Sequence, residues 1–259
     1  MRIYTVRVFF CSIILVNENK WLPLLNKNAC IRKNIQCYME IKRDLYLNKL
    51  IRSMHNGMIK IVTGIRRCGK SYLLFNLFGD YLKAQGVDDE HIIKVDLEDR
   101  RNKNLRNPDA LLEYIDTRIA KEGMHYVMLD EVQWVDEFED VLNSYLKIPN
   151  VDVYVTGSNS KFLSSDIITE FRGRGDEIKV APLSFSEFFS VFEGSREEAM
   201  EEYMTFGGLP MIATIQSNEE KMKYLQTLFS KYILQTIISN RRNIKIKNLP
   251  KYCLTWQGL

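Results

Sequence analysis

Apolar residues fall into two alternating patterns along this chain: short continuous runs, and longer stretches in which they recur every three or four residues. The runs are rich in β-branched residues and predict buried strands at residues 58–63, 91–97, 126–131, 151–156 and 177–181. The stretches at helical spacing predict amphipathic helices at 41–54, 70–82, 108–119 and 138–146. Strands that alternate with helices are typical of an α/β fold built on a parallel sheet.

The pattern changes at Pro182, beyond which only helical spacing remains. It is seen in the phenylalanines of residues 185–192 and in an apolar stripe over 222–232, with a Gly-Gly-Leu-Pro turn at 207–210 between them. We therefore expect four segments: an unassigned extension over residues 1–38, an α/β core over 39–182, a small helical lid over 183–245 and an unassigned tail over 246–259.

The turn after the first predicted strand carries a phosphate-binding motif. Residues 64–71 fit G-x-x-x-x-G-K-[ST], in the required position between a strand and a helix. The two glycines allow backbone N–H groups to turn toward an anion, Lys70 adds a positive charge for the β and γ phosphates, and the Ser71 hydroxyl is placed to bind Mg²⁺. The motif predicts a nucleoside triphosphate site that comprises Gly64, Ile65, Arg66, Arg67, Cys68, Gly69, Lys70, Ser71 and Tyr72.

Two acids end the third predicted strand and predict the second half of this site. Asp130 and Glu131 follow an apolar run, and ligands of open α/β sheets bind at the carboxyl ends of the strands. We expect Asp130 to hold Mg²⁺ together with Ser71, and Glu131 to polarise the water that attacks the γ-phosphate. Lys70 and Glu131 are thus the main catalytic candidates.

Four further side chains are weaker catalytic candidates. Ser158 and Asn159 follow the fourth strand and could contact the γ-phosphate or the attacking water, although an ordinary turn after a strand has the same composition. Arg172 and Arg174 lie in a glycine-containing segment. A guanidinium beside the transferring phosphate, in its own subunit or in a neighbouring one, raises the rate of such reactions by about 10³- to 10⁵-fold, and a surface ion pair is the alternative.

Charge is distributed unevenly, although the net charge is only +3. Residues 1–38 carry +5 and residues 221–259 carry +8, which leaves −10 for the segment between them. Basic ends that flank an acidic body would suit nucleic-acid-binding arms. The alternative is a start codon assigned too early, with Met39 as the later start, and a tail that is truncated or out of frame.

Cysteine and histidine usage and hydropathy narrow the class of protein further. The five cysteines form no C-x-x-C pair and the three histidines are isolated, which predicts free thiols in a reducing compartment and no metal site made of protein ligands alone. The apolar run at residues 8–16 is shorter than the roughly 20 residues of a membrane span and has no signal-peptide cleavage site after it. We expect a cytoplasmic protein without a membrane span.

Four separated motifs, in this order, resemble a family of bacterial and archaeal AAA+-type ATPases in which the core precedes a C-terminal domain of unknown function. They are TGIRRCGKS at 63–71, LDEVQ at 129–133, VTGSN at 155–159 and PLSFSEF at 182–188, and the resemblance covers roughly residues 40–245. It implies a P-loop NTPase with five parallel strands and an additional-strand, AAA+-like core, in which the fourth strand lies between the first and the third. It also implies ATP as the nucleotide. Because the family normally continues beyond this point, the chain resembles a truncated member.

Residues and resemblance together predict a Mg²⁺-dependent ATPase that couples ATP hydrolysis to a conformational change on an unknown protein or DNA partner, with homo-oligomerisation left open. A nucleotide-gated binding module without significant turnover is one alternative, and tight ATP binding without phosphate release would favour it. A small-molecule kinase is the second alternative, because it shares the phosphate loop. A kinase does not need a glutamate after the metal-binding aspartate, and it would give a phosphorylated product.

Overall fold

The predicted parallel sheet is present in a computed structural model of the chain, which describes residues 40–119, 122–158, 171 and 173–239. Its strands are β1 (Ile59–Thr63), β2 (Ile92–Asp96), β3 (His125–Asp130), β4 (Val151–Thr156) and β5 (Gly175–Lys179). They lie in the order β2-β3-β4-β1-β5, and every neighbouring pair is parallel. The α/β fold is confirmed, with β4 between β1 and β3 as the resemblance implied.

Helices cover both faces of this sheet. Helix α1 (Asp44–Arg52) precedes β1, and helix α2 follows the phosphate motif in three consecutive parts, Lys70–Tyr72, Leu73–Phe78 and Gly79–Ala84. Helices α3 (Pro108–Ile119) and α4 (Phe138–Tyr145) connect the later strands. Successive strand residues point to opposite faces, so the side chains of β1 divide between an α3/α4 layer and an α1/α2 layer.

The structure shifts several of the predicted element boundaries. Strand β5 begins at Gly175 rather than at residue 177, because Gly175 pairs with Ile59 at a point where a Cβ would lie 2.6 Å from the Ile61 side chain. Strand β2 begins one residue late, since His91 belongs to a short 3₁₀ helix. The charged segment after β2 forms a 3₁₀ helix, Arg100–Arg106, which the side chain of Asp99 caps.

The middle part of α2 is a π-helix, in which each backbone bond encloses one residue more than in an α-helix. The carbonyl of Phe75 in this part accepts a hydrogen bond from Lys94 Nζ of β2. A Cβ at Gly79 would overlap that nitrogen, so glycine makes room for it. Burial lowers the pKa of Lys94, and the charge of Lys83 lowers it further. The helix after the phosphate motif is thereby bonded to the edge strand of the sheet.

Only helices follow β5 in the described part of the chain. They are α5 (Phe185–Phe189), α6 (Arg196–Phe206), a 3₁₀ turn (Ile212–Thr214) and α7 (Asn218–Ser239). Helices α5 and α6 each begin with a capping box, Ser184 with Glu187 and Ser195 with Glu198, so their starts are fixed by two reciprocal hydrogen bonds. This is the region predicted as a helical lid.

An ion pair between Lys60 and Asp152 lies inside the α1/α2 layer. The Lys60 side chain has no exposed surface, and its Nζ donates to Asp152 Oδ1. The other carboxylate oxygen, Oδ2, accepts hydrogen bonds from the Tyr154 hydroxyl at 2.7 Å and the His55 backbone N–H at 3.0 Å. Both oxygens of the buried carboxylate are therefore satisfied, as a buried charge pair requires.

Replacing Asp152 with alanine is expected to lower the free energy of unfolding by about 3–5 kcal/mol, because it leaves the Lys60 ammonium buried without its counter-charge. Urea denaturation followed by circular dichroism measures this loss. Asp89→Ala is the matched control, since its ion pair with Lys83 leaves 76% of the Asp89 side chain exposed and is worth about 1 kcal/mol or less. Equal losses of unfolding free energy in Asp152→Ala and Asp89→Ala would contradict the conclusion that Asp152 neutralises a buried charge.

Candidate nucleotide-binding site

The phosphate motif forms a loop between β1 and α2 whose backbone turns through left-handed conformations. The φ angles are +147° at Gly64, +65° at Arg67 and +96° at Gly69. Gly69 immediately precedes Lys70, the first residue of α2, so the amino terminus of the helix opens onto the loop. This backbone is suited to presenting N–H groups to an anion.

Gly64 is fixed as glycine by its surroundings as well as by its backbone angle, because a Cβ there would overlap the carbonyl oxygen of Val180. We expect Gly64→Ala to lower the free energy of unfolding by about 3 kcal/mol or more, since strain and overlap act together. Gly57→Ala is the control: its φ is also positive, +71°, but nothing lies within 4 Å of the added carbon. Gly57→Ala should lower the free energy of unfolding by only about 1–2 kcal/mol. Thermal unfolding of both variants measures the difference.

Asp130 is held at the carboxyl end of β3 by two hydroxyl groups. Ser71 Oγ donates to its Oδ2 at 2.8 Å, and Thr156 Oγ1 donates to its Oδ1 at 2.5 Å. Burial raises the pKa of the Asp130 carboxyl, the two hydrogen bonds lower it, and the charges of Glu131 and Asp96 raise it again. Because burial is the largest effect, a cation beside this carboxylate would relieve an unfavourable negative charge.

Glu131 leaves the strand in a left-handed conformation, with φ +53° and ψ +50°. Its backbone N–H donates to Thr156 Oγ1 at 2.9 Å, and its Oε2 accepts hydrogen bonds from Ser158 Oγ, at 2.7 Å, and from Gln133 Nε2. A non-glycine residue in this conformation costs about 1–2 kcal/mol, and such strain is concentrated at functional sites. The strained backbone and the two donors fix the direction of the carboxylate.

Lys70 connects the phosphate loop with these acids. Its side chain is almost fully buried, its Nζ donates to the Ile65 carbonyl at 3.2 Å, and the same nitrogen lies 3.9 Å from Glu131 Oε1. The ammonium group thus lies between the first half of the loop and the acid pair. Lys70, Ser71, Asp130, Glu131 and Ser158 share one region of the sheet edge.

The other loop side chains have different surroundings. Arg66 forms an exposed ion pair with Glu98, and the guanidinium of Arg67 lies 5.4 Å from the ring centroid of Tyr224 in α7. Cys68 is fully buried, its thiol lies 3.6 Å from the Val180 carbonyl, and burial raises its pKa, so it is protonated and shielded. Ile65 is 47% exposed, whereas Tyr72 packs against the α1/α2 layer.

Arg174 does not lie near the loop of its own chain. Its carbonyl accepts a hydrogen bond from the backbone N–H of Ile59, at the start of β1. Since β5 runs parallel to β1, Arg174 sits at the sheet edge opposite the loop, about 16 Å of strand length away. A role in the site of a neighbouring copy stays a prediction. Asn159 and Arg172, the other two candidates, lie outside the described residues.

Sequence reasoning missed the role of Thr156, which bonds to both acids. The signal was present, because Thr156 lies one step beyond the Leu129–Val155 pair of the β3–β4 register and hence beside Asp130. Inferring the contact between Thr156 and Asp130 from this register requires the strand order, which the hydrophobic pattern does not give. The bond from Gln133 to Glu131 could not be inferred from spacing either.

The comparison with known families rests on more than half of the chain. Residues 56–189 match the sequence profile of a family described as "AAA domain". The matched segment contains the phosphate loop, both acids and all five strands. The chain belongs to this AAA domain family.

Two curated relatives of this AAA domain are themselves uncharacterized proteins. One, from Haemophilus influenzae, is 31% identical over 218 residues, which cover 82% of this chain and 54% of the relative. The other, MJ1544 of Methanocaldococcus jannaschii, is 31% identical over 219 residues, which cover 79% of this chain and 47% of the relative. The chain thus spans about half the length of these two proteins.

A solved structure has the same fold. The Walker-type ATPase PABY2304 of Pyrococcus abyssi superposes with a TM-score of 0.55 at 18% identity, over 78% of this chain and 76% of that one. At this level of identity the likeness shows the fold alone. Among the described residues of the AAA domain, no helix has the length and apolar character needed to cross a bilayer.

The side chains of this AAA domain fit Mg²⁺ bound together with a nucleotide phosphate. Ser71 and Asp130 bring a hydroxyl and a buried carboxylate oxygen to within 2.8 Å of each other. Oxygen donors of this kind suit Mg²⁺, which commonly takes one or two protein ligands and completes its shell with phosphate and water.

Proposed function

We propose that this AAA domain is a Mg²⁺-dependent ATPase that couples ATP hydrolysis to a conformational change acting on a partner. The observation that carries the proposal is that Lys70 Nζ lies within 4 Å of Glu131, while Ser71 bonds Asp130 next to it. The proposed phosphate-binding cation, metal-binding pair and base therefore lie at one sheet edge. This arrangement supports a hydrolytic site more strongly than phosphate binding alone.

Each group has a distinct part in the proposed reaction. The loop N–H groups and Lys70 bind the phosphates, and Ser71 with Asp130 would hold Mg²⁺, which when bound neutralises phosphate charge. Glu131 accepts a proton from water while the water oxygen bonds to the γ-phosphorus and the bond to the β–γ bridging oxygen breaks. Ser158 and Gln133 keep the Glu131 carboxylate in one orientation. ADP and phosphate are the products.

Measuring phosphate release from the purified 259-residue chain, with ATP and with or without Mg²⁺, tests the proposal. We expect release that requires Mg²⁺. Tight ATP binding without release would instead support a nucleotide-gated binding module, and transfer of the phosphate to a metabolite in a substrate panel would support a kinase. Competition between ATP and GTP in the same assay tests the base specificity.

The partner is proposed only by chemical class, as a protein or DNA. Trp134 has 46% of its surface exposed, and the guanidinium of Arg106 lies 4.4 Å from its ring centroid. Arg106 is held in turn by the carbonyls of Leu97 and Glu98. Because Trp134 is only three residues from Glu131, a partner bound there would be close to the proposed base. In the basic segment 221–259, the residues after 239 lie outside the described residues.

A further inference from the structure

Arg43 contacts three separate parts of the molecule: the phosphate loop, the segment after β5 and helix α5. Its side chain is 4% exposed. Nη1 donates to the carbonyl of Cys68 in the phosphate loop at 3.1 Å, and Nη2 donates to the carbonyl of Ala181 after β5 at 2.6 Å. Nε forms an ion pair with Glu187 Oε1 of α5 at 3.1 Å.

The position of Arg43 is itself fixed from α1. Its guanidinium lies 4.7 Å from the ring centroid of Tyr46, and the Tyr46 hydroxyl accepts a hydrogen bond from the Ala181 backbone N–H at 3.1 Å. Both backbone groups of Ala181 are therefore held by this pair of side chains. A guanidinium is planar and rigid, so movement at one of its three contacts is transmitted to the others.

Glu187 connects Arg43 to the start of the lid. While its Oε1 faces Arg43, its Oε2 accepts hydrogen bonds from the Ser184 backbone N–H at 2.8 Å and the Ser184 hydroxyl at 3.0 Å. One carboxylate thus caps α5 and pairs with the arginine that contacts the loop. A displacement of Arg43 would act on the first residues of the lid.

The lid also lies directly against the loop. A Cβ added at Gly69 would be 3.7 Å from Pro210, and Arg67 lies over the ring of Tyr224 in α7. The Cys68 carbonyl, which accepts from Arg43, belongs to the same peptide group as the N–H of Gly69, so an anion bound by that N–H would act on the group that Arg43 contacts. The loop therefore has a short, charged connection to α5 through Arg43 and a packing contact with the later lid residues.

We propose that Arg43 is a positioning residue that couples nucleotide occupancy of the phosphate loop to the conformation of the lid. This inference rests on the proposed nucleotide binding and adds the path by which binding reaches the lid. The path runs from the Cys68 carbonyl through the guanidinium to Glu187 and the start of α5. The pattern of apolar residues does not reveal this path, because Arg43 is 25 positions from Cys68 and 144 positions from Glu187 in the sequence.

Hydrogen–deuterium exchange with and without Mg²⁺ and a non-hydrolysable ATP analogue measures this coupling, read separately over residues 64–72 and over α5 and α6. In the wild type we expect the analogue to slow exchange in both regions. The slowing in the lid should be about 5- to 150-fold, the usual range for coupled sites. In Glu187→Gln and Arg43→Ala, slowing over residues 64–72 should persist, whereas slowing in the lid should fall below about twofold.

Glu187→Gln is the sharper variant, because glutamine can still cap the helix and only the charge facing Arg43 is lost. Glu198→Gln is its matched control: Glu198 caps α6 with the same geometry, accepting from the Ser195 N–H at 2.8 Å. This control should retain the wild-type slowing. If Arg43→Ala fails to fold, Glu187→Gln alone decides the question.

A merely structural role would alter lid exchange without nucleotide and leave the analogue's effect intact, and that result would overturn the inference. Unchanged lid slowing in both variants would overturn it as well, as would a wild type in which the loop is protected and the lid is not. Absence of protection over residues 64–72 in the wild type would be a different failure, because it removes the proposed nucleotide binding together with the coupling built on it.

Discussion

Lys70→Ala should weaken ATP binding by about 30- to 1,000-fold, equivalent to about 2–4 kcal/mol. The ammonium group is nearly inaccessible to solvent and lies between the Ile65 carbonyl and Glu131. No other described side chain of the loop places a cation there, since Arg66 pairs with Glu98 and Arg67 lies over Tyr224. Isothermal titration with Mg²⁺-ATP gives the affinities directly.

Lys83→Ala is the control for this result, because Lys83 belongs to the last part of the same helix, α2, and forms a surface pair with Asp89. It should bind ATP as the wild type does. Thermal unfolding of both variants separates a loss of binding from a loss of fold. Wild-type affinity in a folded Lys70→Ala protein would remove Lys70 from the site.

Glu131→Gln should keep ATP binding and lower the rate of phosphate release by about 10²- to 10⁴-fold, the usual contribution of a general base. Glutamine has the same shape and can still accept the hydrogen bond from Ser158, so the surrounding geometry is retained. Its neutral amide cannot take a proton from water. Binding by titration and phosphate release under single-turnover conditions test the two halves of this expectation.

The control is Glu137→Gln, six residues further along the chain. Glu137 is exposed and has nearly the same left-handed backbone, with φ +51° against +53° at Glu131, so it controls for the amide substitution in that conformation. Turnover of this variant should equal that of the wild type. Equal hydrolysis by Glu131→Gln and the wild type would reject Glu131 as the base.

The parts of the fold that depend on local pattern could be predicted from the sequence. The apolar run before Gly64 and the helical spacing after Lys70 correctly locate β1 and α2, because burial on both faces and a single apolar stripe leave direct marks in the sequence. The strand order came from resemblance to a family, since nothing in the pattern of one strand specifies its neighbours. It is this order that brings Asp130 next to Thr156.

What could not be predicted depends on where side chains reach in three dimensions. Arg174 was a candidate because of its charge and its neighbouring glycines, but the direction of β5 places it at the opposite sheet edge. The contacts of Arg43 join segments that are distant in sequence, and a lone arginine before a helix carries no mark of its partners. Charge and composition suggest what a residue can do, whereas topology decides where it can act.

The π-helical part of α2 changes the rotation of the helix, so the residues before it and the residues after it face directions that one regular α-helix would not combine. Residues after Phe78 are turned relative to the positions that an unbroken α-helix beginning at Lys70 would give them, because each wider bond adds a residue to its turn. The direction of Lys70 and Ser71 toward the phosphates is thereby set independently of the direction in which Leu82 enters the core. Since the segment holds one residue more than α-helical turns of the same length, deleting one residue between Leu73 and Phe78 should convert it to regular α-helix and leave the phosphate loop and Leu82 in place, whereas a deletion after Gly79 should rotate Leu82 out of the core.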